Sequence, residues 1–358
     1  MRRLAALDWR GLVLALVIGT VGGAVFAWAR LPLAWLLGAM VAVTAAATSG
    51  VRVRLPAPLA TIAYGVLGVV MGTAFSPEIF HHLARFGVTL ATLLIYIAVI
   101  AVIMLTLFRR VFGFDARTAY FASMPGGIAE MTAIGAAMGG DGRTIALFHG
   151  TRILLVAFTI PMGFHFIAGY EPRGVSAMGG GLDSIGIVDY LVFLGCGLAG
   201  HFGGRLIRLP APSLLGGLIL SAVAHMAGLT DAKMPFLIIA LAQLVIGCGI
   251  GSRFAGTSPG EIGRMLAIAT AMIALMLLIT IGFGLGLERL TDWPVQALLL
   301  AYAPGGLPEM TLVALVMGID VVFVATHHTV RIVFVVALAL PVLRLMERRR
   351  SRDGAPKE

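Results

Sequence analysis

The segment SMPGGIAEMT, residues 123–132, lies in a chain that is otherwise almost entirely apolar. Proline and glycine weaken a helix, and a carboxylate inside a membrane is costly, so this combination is unfavourable in an apolar setting. The segment APGGLPEMT, residues 303–311, repeats the pattern in the second half of the chain. Because so costly a combination occurs twice, we infer that it has a specific role and did not arise by chance.

Composition indicates the setting of these segments. Of the 358 residues, 59% are hydrophobic and only 12% are charged, far from the balance of soluble domains. The net charge of +9 comes from short basic clusters between apolar runs and at both ends, which is typical of topology-setting loops rather than of a nucleic-acid surface. Cys196 and Cys248 lie in apolar runs without nearby metal-ligand residues, so we expect neither a disulfide nor a metal site. The sequence predicts an all-α polytopic membrane protein whose partner is the lipid bilayer, with no cofactor.

Internal repetition divides the chain into two halves. A shift of 178 or 179 positions superimposes repeated features, which we sought before assigning elements. They are Gly126-Gly127 with Gly305-Gly306, Glu130 with Glu309, His149 with His328, and Arg152 with Arg331. The first apolar run imitates a signal peptide, but its counterpart in the second half argues that it belongs to a repeat. We predict a first repeat at 1–168, a linker at 169–186, a second repeat at 187–346 and a basic cytoplasmic tail at 347–358.

Each half contains five apolar runs of about the 20 residues that a membrane-spanning helix needs. In the first half they cover about 11–28, 32–50, 56–75, 85–108 and 144–168. In the second half they cover about 187–206, 210–229, 234–255, 263–287 and 321–343. A sixth element in each half, about 116–139 and 295–318, contains the PGG motif.

The basic residues favour one of two topologies. If the sixth element crosses the bilayer, the two repeats are parallel; if it returns to the side from which it came, they are inverted. With a cytoplasmic N-terminus, re-entrance puts 19 Lys and Arg inside and 5 outside, whereas crossing gives 17 and 7. We therefore predict two inverted repeats, each of about five transmembrane helices and one PGG-broken re-entrant hairpin. Both termini then face the cytoplasm of a bacterial inner membrane, as does Thr257, whereas Ser176 lies outside.

The PGG motif predicts a break in the middle of its element. Pro125-Gly126-Gly127 should split the element into two half-helices of about ten residues, each reaching roughly mid-bilayer. Non-helical backbone at that depth requires burial in protein or a wet cavity. The second half-helix begins with unpaired N–H groups and the positive end of the helix dipole, which suits an anion.

The two motifs also carry a resemblance to a known family. Met124-Pro125-Gly126-Gly127 with Glu130-Met131, and Ala303-Pro304-Gly305-Gly306 with Glu309-Met310, resemble the motifs of AbrB-type integral membrane proteins with an internal duplication. The resemblance covers essentially the whole chain. It implies a membrane protein that looks like a secondary transporter, in a family whose members have been labelled regulators of gene expression and ammonia monooxygenases. It implies no residue roles.

The repeated polar residues each allow two interpretations. Glu130 and Glu309 either stabilise a helix dipole from its first turn or belong to a proton or ion pathway. Arg152 and Arg331 either snorkel to the membrane interface or pair with the glutamates or a substrate carboxylate. Each arginine follows a histidine by three residues, which places both on one helix face. The candidate site comprises Pro125, Gly126, Gly127, Glu130, His149, Arg152, Pro304, Gly305, Gly306, Glu309, His328 and Arg331.

Three functional classes are compatible with this composition, and the sequence favours a transporter. Broken helices from two repeats, with a few charges at mid-membrane, are typical of secondary transporters. We therefore expect a non-enzyme that carries a small, anionic solute coupled to a proton or sodium gradient, since the chain has no Walker motif. The alternative is a membrane-bound regulator of gene expression that acts indirectly. A monooxygenase is less well supported, because eight scattered histidines form no ligand cluster. A homodimer remains open.

Overall fold

The computed structural model describes residues 8–75, 84–170, 180–257 and 259–352. Within these ranges the chain forms fourteen α-helices and two short 3₁₀ segments, Ala84–Phe86 and Ser252–Phe254, and no strand. The expected all-helical class is thus observed. Ser176 and part of the predicted linker and tail lie outside the described residues.

The helices follow one another in the same order in both halves. The first half contains α1 (Trp9–Trp28), α2 (Ala34–Thr48), α3 (Ala57–Gly72), α4 (Gly87–Arg110), α5 (Ala116–Ser123), α6 (Ile128–Ala137) and α7 (Gly142–Phe166). The second half contains α8 (Ile187–Leu206), α9 (Pro212–Met226), α10 (Phe236–Gly251), α11 (Pro259–Glu288), α12 (Val295–Tyr302), α13 (Leu307–Met317) and α14 (Val321–Arg352).

Seven of the described helices are long and apolar enough to cross a membrane: α1, α4, α7, α8, α10 with its 3₁₀ extension, α11 and α14. Three predicted spans are shorter than expected, because α2, α3 and α9 have 15 or 16 residues, or about 22–24 Å. The sharp starts of α2 and α9 explain part of the difference. Each follows a residue in the left-handed conformation, Leu33 or Ala211, which ends the preceding turn.

The two halves match in length and in backbone conformation. Helices α1 and α8 both have 20 residues, α2 and α9 both have 15, and α5 and α12 both have 8. The described residues other than glycine with positive φ are Arg30 and Leu33 in one half and Arg208 and Ala211 in the other. Each pair is offset by 178 positions. These parallels support the predicted duplication, whereas the exact repeat boundaries remain predictions.

Glycines allow α1–α3 and α8–α10 to pack as one bundle. A Cβ added to Gly22 would lie 2.3 Å from the carbonyl oxygen of Gly38, and one added to Gly216 would lie 1.9 Å from that of Gly200. Because these contacts are with backbone, no side chain can move aside. The glycines therefore act in close helix packing.

The interface between the two halves is reciprocal. Gly68 in α3 lies against the Leu214 carbonyl of α9, and Gly247 in α10 lies against the equivalent Leu36 carbonyl of α2. The two contacts are equivalent under the offset of 178 or 179 positions. Four residues further along both helices, Gly251 lies against Met40. Since both partners move toward their C-termini together, α2 runs parallel to α10.

We predict that Gly216→Ala destabilises the protein. The new methyl group must displace backbone, and overpacking of this kind costs about 1–3 kcal/mol. The matched control is Gly203→Ala, because a Cβ at Gly203 meets nothing within 4 Å. Thermal unfolding of purified protein in detergent should show a lower Tm for Gly216→Ala only. Equal Tm values for the two variants would contradict the assigned packing.

Helices α4–α7 and α11–α14 form the second bundle, and in it both ends of each broken element lie together. In the first half, the backbone N–H of Asp141 donates to Thr118 Oγ1 at 2.8 Å, so the residue before α7 contacts the first turn of α5. In the second half, Trp293 before α12 stacks on Phe323 of α14, with ring centroids 4.1 Å apart. In each half, the start of the broken element therefore lies close to the start of the helix that follows it.

The end at which each broken element begins and finishes is called its open end. The two open ends lie at opposite ends of α4. Phe86, just before α4, contacts Trp293 and Phe323, with ring centroids 5.5 and 5.3 Å away. Phe108, near the other end, contacts Phe148 of α7 at 4.7 Å. Helix α4 has 24 residues and is therefore about 36 Å long. The open ends of the two elements are separated by roughly that distance.

Aspartates begin the helices that follow each broken element. Asp141 accepts hydrogen bonds from the backbone N–H groups of Arg143 and Thr144, and Asp320 accepts one from that of Phe323 at 2.9 Å. A further hydrogen bond from the Thr144 hydroxyl lowers the pKa of the Asp141 carboxyl group. Both aspartates therefore cap the helices that follow them.

Candidate functional site

Both PGG motifs break their elements into half-helices. Helices α5 and α6 have 8 and 10 residues, and α12 and α13 have 8 and 11. Each half-helix is about 12–17 Å long. This is about half of the 30 Å thickness of a membrane's hydrocarbon core. The residues between them are extended, with ψ of 130° at Met124 and 138° at Ala303. The predicted break is confirmed in both halves.

Each repeated arginine holds the break of its own half together. Arg152 donates to the carbonyl oxygens of Met124 and Gly126 at 3.2 and 2.9 Å. Arg331 donates to those of Ala303 and Gly305, both at 2.5 Å. The planar guanidinium fork suits two acceptors at once. The carbonyl groups that the break removes from helical hydrogen bonding are thereby satisfied.

The repeated histidines hydrogen-bond to the half-helix that precedes each break. His149 Nε2 lies 3.0 Å from the Phe121 carbonyl, and His328 Nε2 lies 2.9 Å from the Leu300 carbonyl. A ring nitrogen that faces a carbonyl oxygen must carry the hydrogen and donate it. The Arg331 fork also contacts His328 Nδ1 at 3.0 Å. In each half, therefore, the histidine and arginine anchor the end of the first half-helix.

Two interpretations of the arginines are wrong. The side chains of Arg152 and Arg331 are only 1% and 2% exposed, and each lies ten residues, or about 15 Å, into its helix, so neither snorkels to an interface. Nor does either pair with a glutamate, because no ion pair within 4 Å joins them to Glu130 or Glu309 in the described ranges. Their Nε atoms have no hydrogen-bond partner there.

The second glycine of each motif makes room for the glutamate. A Cβ on Gly127 would lie 2.1 Å from Glu130 Oε2, and one on Gly306 would lie 1.9 Å from Glu309 Oε2. Each carboxylate therefore folds back over the first turn of its half-helix, where the dipole is positive. The glycines have ordinary negative φ values of −68° and −80°. They are needed for space rather than for an unusual backbone conformation.

The first glycine of each motif is covered by the methionine that follows the glutamate. A Cβ on Gly126 would lie 2.9 Å from Met131 Cγ, and one on Gly305 would lie 2.8 Å from Met310 Cγ. Both methionines are fully buried. The spacing between the glycine pair and the Glu-Met pair thus reflects direct packing of the motif on itself.

The two breaks line one cavity of about 460 Å³. Eight of the predicted residues contribute to its wall: Gly126, Gly127, Glu130, Arg152, Gly305, Gly306, Glu309 and Arg331. Pro125, Pro304, His149 and His328 are not among the lining residues. The motifs, which are 179 positions apart in the chain, are therefore brought together. The repeated histidines, His149 and His328, lie outside the cavity.

Six further polar residues line the cavity and were not predicted: Thr61, Tyr64, His201, Arg205, Ser213 and Arg253. None of them has an identical residue at the matching position of the other repeat. Arg205 and Arg253 lie near the ends of apolar runs, where the sequence indicates topology-setting charges. With them the wall holds four arginines and two glutamates. This excess of positive charge favours an anionic ligand.

The two glutamates differ in exposure. Glu309 is 2% exposed, and its Oε2 has no hydrogen-bond partner among the described residues, whereas Glu130 is partly exposed. A neighbouring depression of about 590 Å³ adjoins α6 and shares Ala129 and Arg253 with the cavity. Helix α13, by contrast, is almost entirely buried. The cavity therefore opens toward the end of the molecule at which the first broken element begins.

Comparison with known proteins agrees with the motifs. The family described as "Transition state regulatory protein AbrB" matches residues 35–347. The chain belongs to the AbrB family. "Putative regulator AbrB" of Escherichia coli (strain K12) is 27% identical over 338 residues, which cover 94% of this chain and 95% of that protein. "Uncharacterized protein YhjN" of Bacillus subtilis (strain 168) is 24% identical and covers 92% of each chain. No solved structure matches.

Proposed function

We propose that this AbrB-family protein is a secondary transporter that carries a small organic anion across the bacterial inner membrane. In this proposal the two halves are inverted repeats, the PGG elements are re-entrant hairpins, and their tips form the transport site. The observation that carries the proposal is that both breaks line the same cavity, whose wall has an excess of positive charge. Broken helices that meet between repeats are the usual construction of a secondary transporter's site.

Helix directions support the inversion. Helix α2 runs antiparallel to α1, because Gly22 lies against Gly38 and Gly23 against Trp35. Helix α3 begins beside the start of α1, where the Arg54 N–H donates to the Gly11 carbonyl, and it therefore runs opposite to α2. Because α2 runs parallel to α10, judged from the advancing contacts of Gly247 with Leu36 and of Gly251 with Met40, α10 runs opposite to α3. Helix α10 is the counterpart of α3 in the second repeat. Equivalent helices that run in opposite directions belong to inverted repeats.

The ends of the broken elements support re-entrance. An element that crossed the bilayer would have its ends about 30 Å apart. Instead, Thr118 and Asp141 are hydrogen-bonded in the first half, and Trp293 stacks on Phe323 in the second. The two hairpins also open at opposite ends of α4, as inverted repeats require.

Electrostatics favours an anionic solute and a coupling ion. Half-helices α6 and α13 point their positive N-terminal ends into the cavity region, and the four arginines add to this field. Glu130 and Glu309 are the groups suited to a coupling proton or sodium ion. Since Glu309 is occluded and Glu130 is partly exposed, the two sites differ in access, as alternating access requires.

The regulatory names of the family and of the Escherichia coli relative suggest a second role. We propose that any regulation by this chain is indirect and follows from the level of the transported solute. Within the ranges described above, no three His, Cys, Asp or Glu side chains lie close enough to hold a metal ion. The preference for a transporter over a metal-dependent oxygenase remains part of the proposal.

Transport by reconstituted protein tests this proposal. Proteoliposomes should accumulate one or more labelled mono- or dicarboxylates when a proton or sodium gradient is imposed. Glu309→Gln keeps the shape but removes the titratable charge, so we expect it to lose the dependence on the gradient. Asp231→Asn, at an exposed loop position, is the control and should behave as wild type. Failure to move any anion of the panel, with or without a gradient, would refute the proposal.

A further inference from the structure

A second depression, apolar and open to the surroundings of the bundle, runs beside the charged cavity. It has a volume of about 640 Å³ and lies between α3 and α8, with α10 at one end. Its wall is mainly hydrocarbon and aromatic, and includes Ile62, Val66, Phe193, Leu194, Leu198 and Ile238. It is called the α3–α8 groove below.

One end of the α3–α8 groove is polar and shared with the cavity. Thr61, His201, Arg205 and Ser213 line both. His201 Nδ1 and Ser213 Oγ lie 2.7 Å apart, so α8 and α9 are linked at this rim. Only these few side chains separate an apolar groove from a cavity that carries excess positive charge.

The groove is long and charged at one end. Along α8 its lining extends from Tyr190 to Arg205, which corresponds to about 22 Å of helix. The apolar length suits a hydrocarbon chain, and the guanidinium of Arg205 suits an anionic head group. A ligand of this shape places its head in the cavity and its tail in the groove.

We propose that the α3–α8 groove binds the alkyl chain of the transported anion, so that the substrate class is a single-chain amphiphilic carboxylate. This inference rests on the proposed transport function and adds the identity of the substrate. The groove is continuous with the charged cavity, and Arg205 at the shared rim complements an anionic head group. A membrane phospholipid and a second copy of the chain are the competing occupants of the apolar wall, and the experiment below distinguishes them from the alkyl chain.

Gly65 allows the groove to be filled without disturbing the fold. It lies in the groove wall, and a Cβ added there meets nothing within 4 Å. Gly65→Phe should therefore occupy the space of the alkyl chain. Gly195→Phe is the matched control, because Gly195 is also helical and equally open at Cβ but does not line the groove.

Binding of labelled dodecanoate and acetate to full-length protein in nanodiscs, corrected with empty nanodiscs, tests the inference. Because each buried methylene adds affinity, wild type and Gly195→Phe should bind dodecanoate at least about 100-fold more tightly than acetate. Gly65→Phe should lose that preference and keep its acetate affinity.

Two results would overturn the inference and leave the transport proposal intact. Wild-type protein that transports short anions but binds dodecanoate no better than acetate has a groove filled by bilayer lipid. A Gly65→Phe variant that keeps its dodecanoate preference, but changes oligomeric state in light scattering, has a groove that is an interface between copies. Loss of all anion transport in wild type would instead refute the proposed function itself.

Discussion

Replacement of Arg331 by lysine is expected to abolish transport while the protein still inserts and folds. Arg331 bridges the carbonyl oxygens of Ala303 and Gly305, which a single ammonium group cannot reproduce with the same geometry. The tip of the second hairpin should shift, and a displacement of about 1 Å at a functional site costs roughly 100-fold in rate. One lost hydrogen bond to a charged group lowers the free energy of unfolding by about 2 kcal/mol.

Proteoliposome uptake and thermal unfolding measure the two effects separately. Arg152→Lys should behave in the same way, because Arg152 holds Met124 and Gly126 in the equivalent manner. Arg289→Lys, at an exposed position after α11, is the control. Transport at wild-type rates in both Arg331→Lys and Arg152→Lys would show that the guanidinium forks do not position the site.

Gly306→Ala is expected to be almost as damaging, for a steric reason. Its new methyl group would lie 1.9 Å from Glu309 Oε2, so the carboxylate must leave its place over the first turn of α13. We expect a loss of transport of about 100-fold and a lower free energy of unfolding by about 1–3 kcal/mol. Gly286→Ala, in α11 with an open Cβ position, should show neither effect.

A double variant distinguishes a steric clash with the Glu309 carboxylate from the loss of that carboxylate's function. If the clash is with the carboxylate, Gly306→Ala combined with Glu309→Ala should be as stable as Glu309→Ala alone. Transport should stay absent, because the proposed ion-coupling group is missing. Additive losses of stability in the double variant would mean that the methyl group clashes with something other than Glu309, and the assigned role of the second glycine would be wrong.

The sequence predicts the architecture well because its main determinants are local. Proline beside paired glycines breaks a helix wherever it occurs, and the offset of 178 or 179 positions reveals the duplication without any knowledge of contacts. Asp141 and Asp320 cap their helices through bonds to residues two to three positions away. Such features are encoded within a few residues, so a linear pattern is sufficient to find them.

Roles that depend on distant partners were not predictable in the same way. Spacing places His149 and Arg152 on one helix face, but their acceptors lie 26 or 28 residues upstream. Gly127 is explained by the carboxylate that occupies the space of its missing Cβ, and helix weakening alone does not account for it. Arg205 and Arg253 have no repeat counterparts, so nothing in the pattern separates them from topology-setting charges.

The inverted arrangement of the two hairpins is the central claim, and cysteine accessibility tests it most directly. Val111 lies beside the open end of the first hairpin and Leu290 beside that of the second, and both are exposed. Single cysteines are placed there in a background in which the buried Cys196 and Cys248 are replaced by alanine. An impermeant thiol reagent is then applied to intact cells and to inverted membrane vesicles.

We expect position 290 to be labelled in intact cells and position 111 only in inverted vesicles, because the hairpins open on opposite sides of the membrane. Labelling of both positions from the same side would mean that the repeats are parallel and would contradict the account.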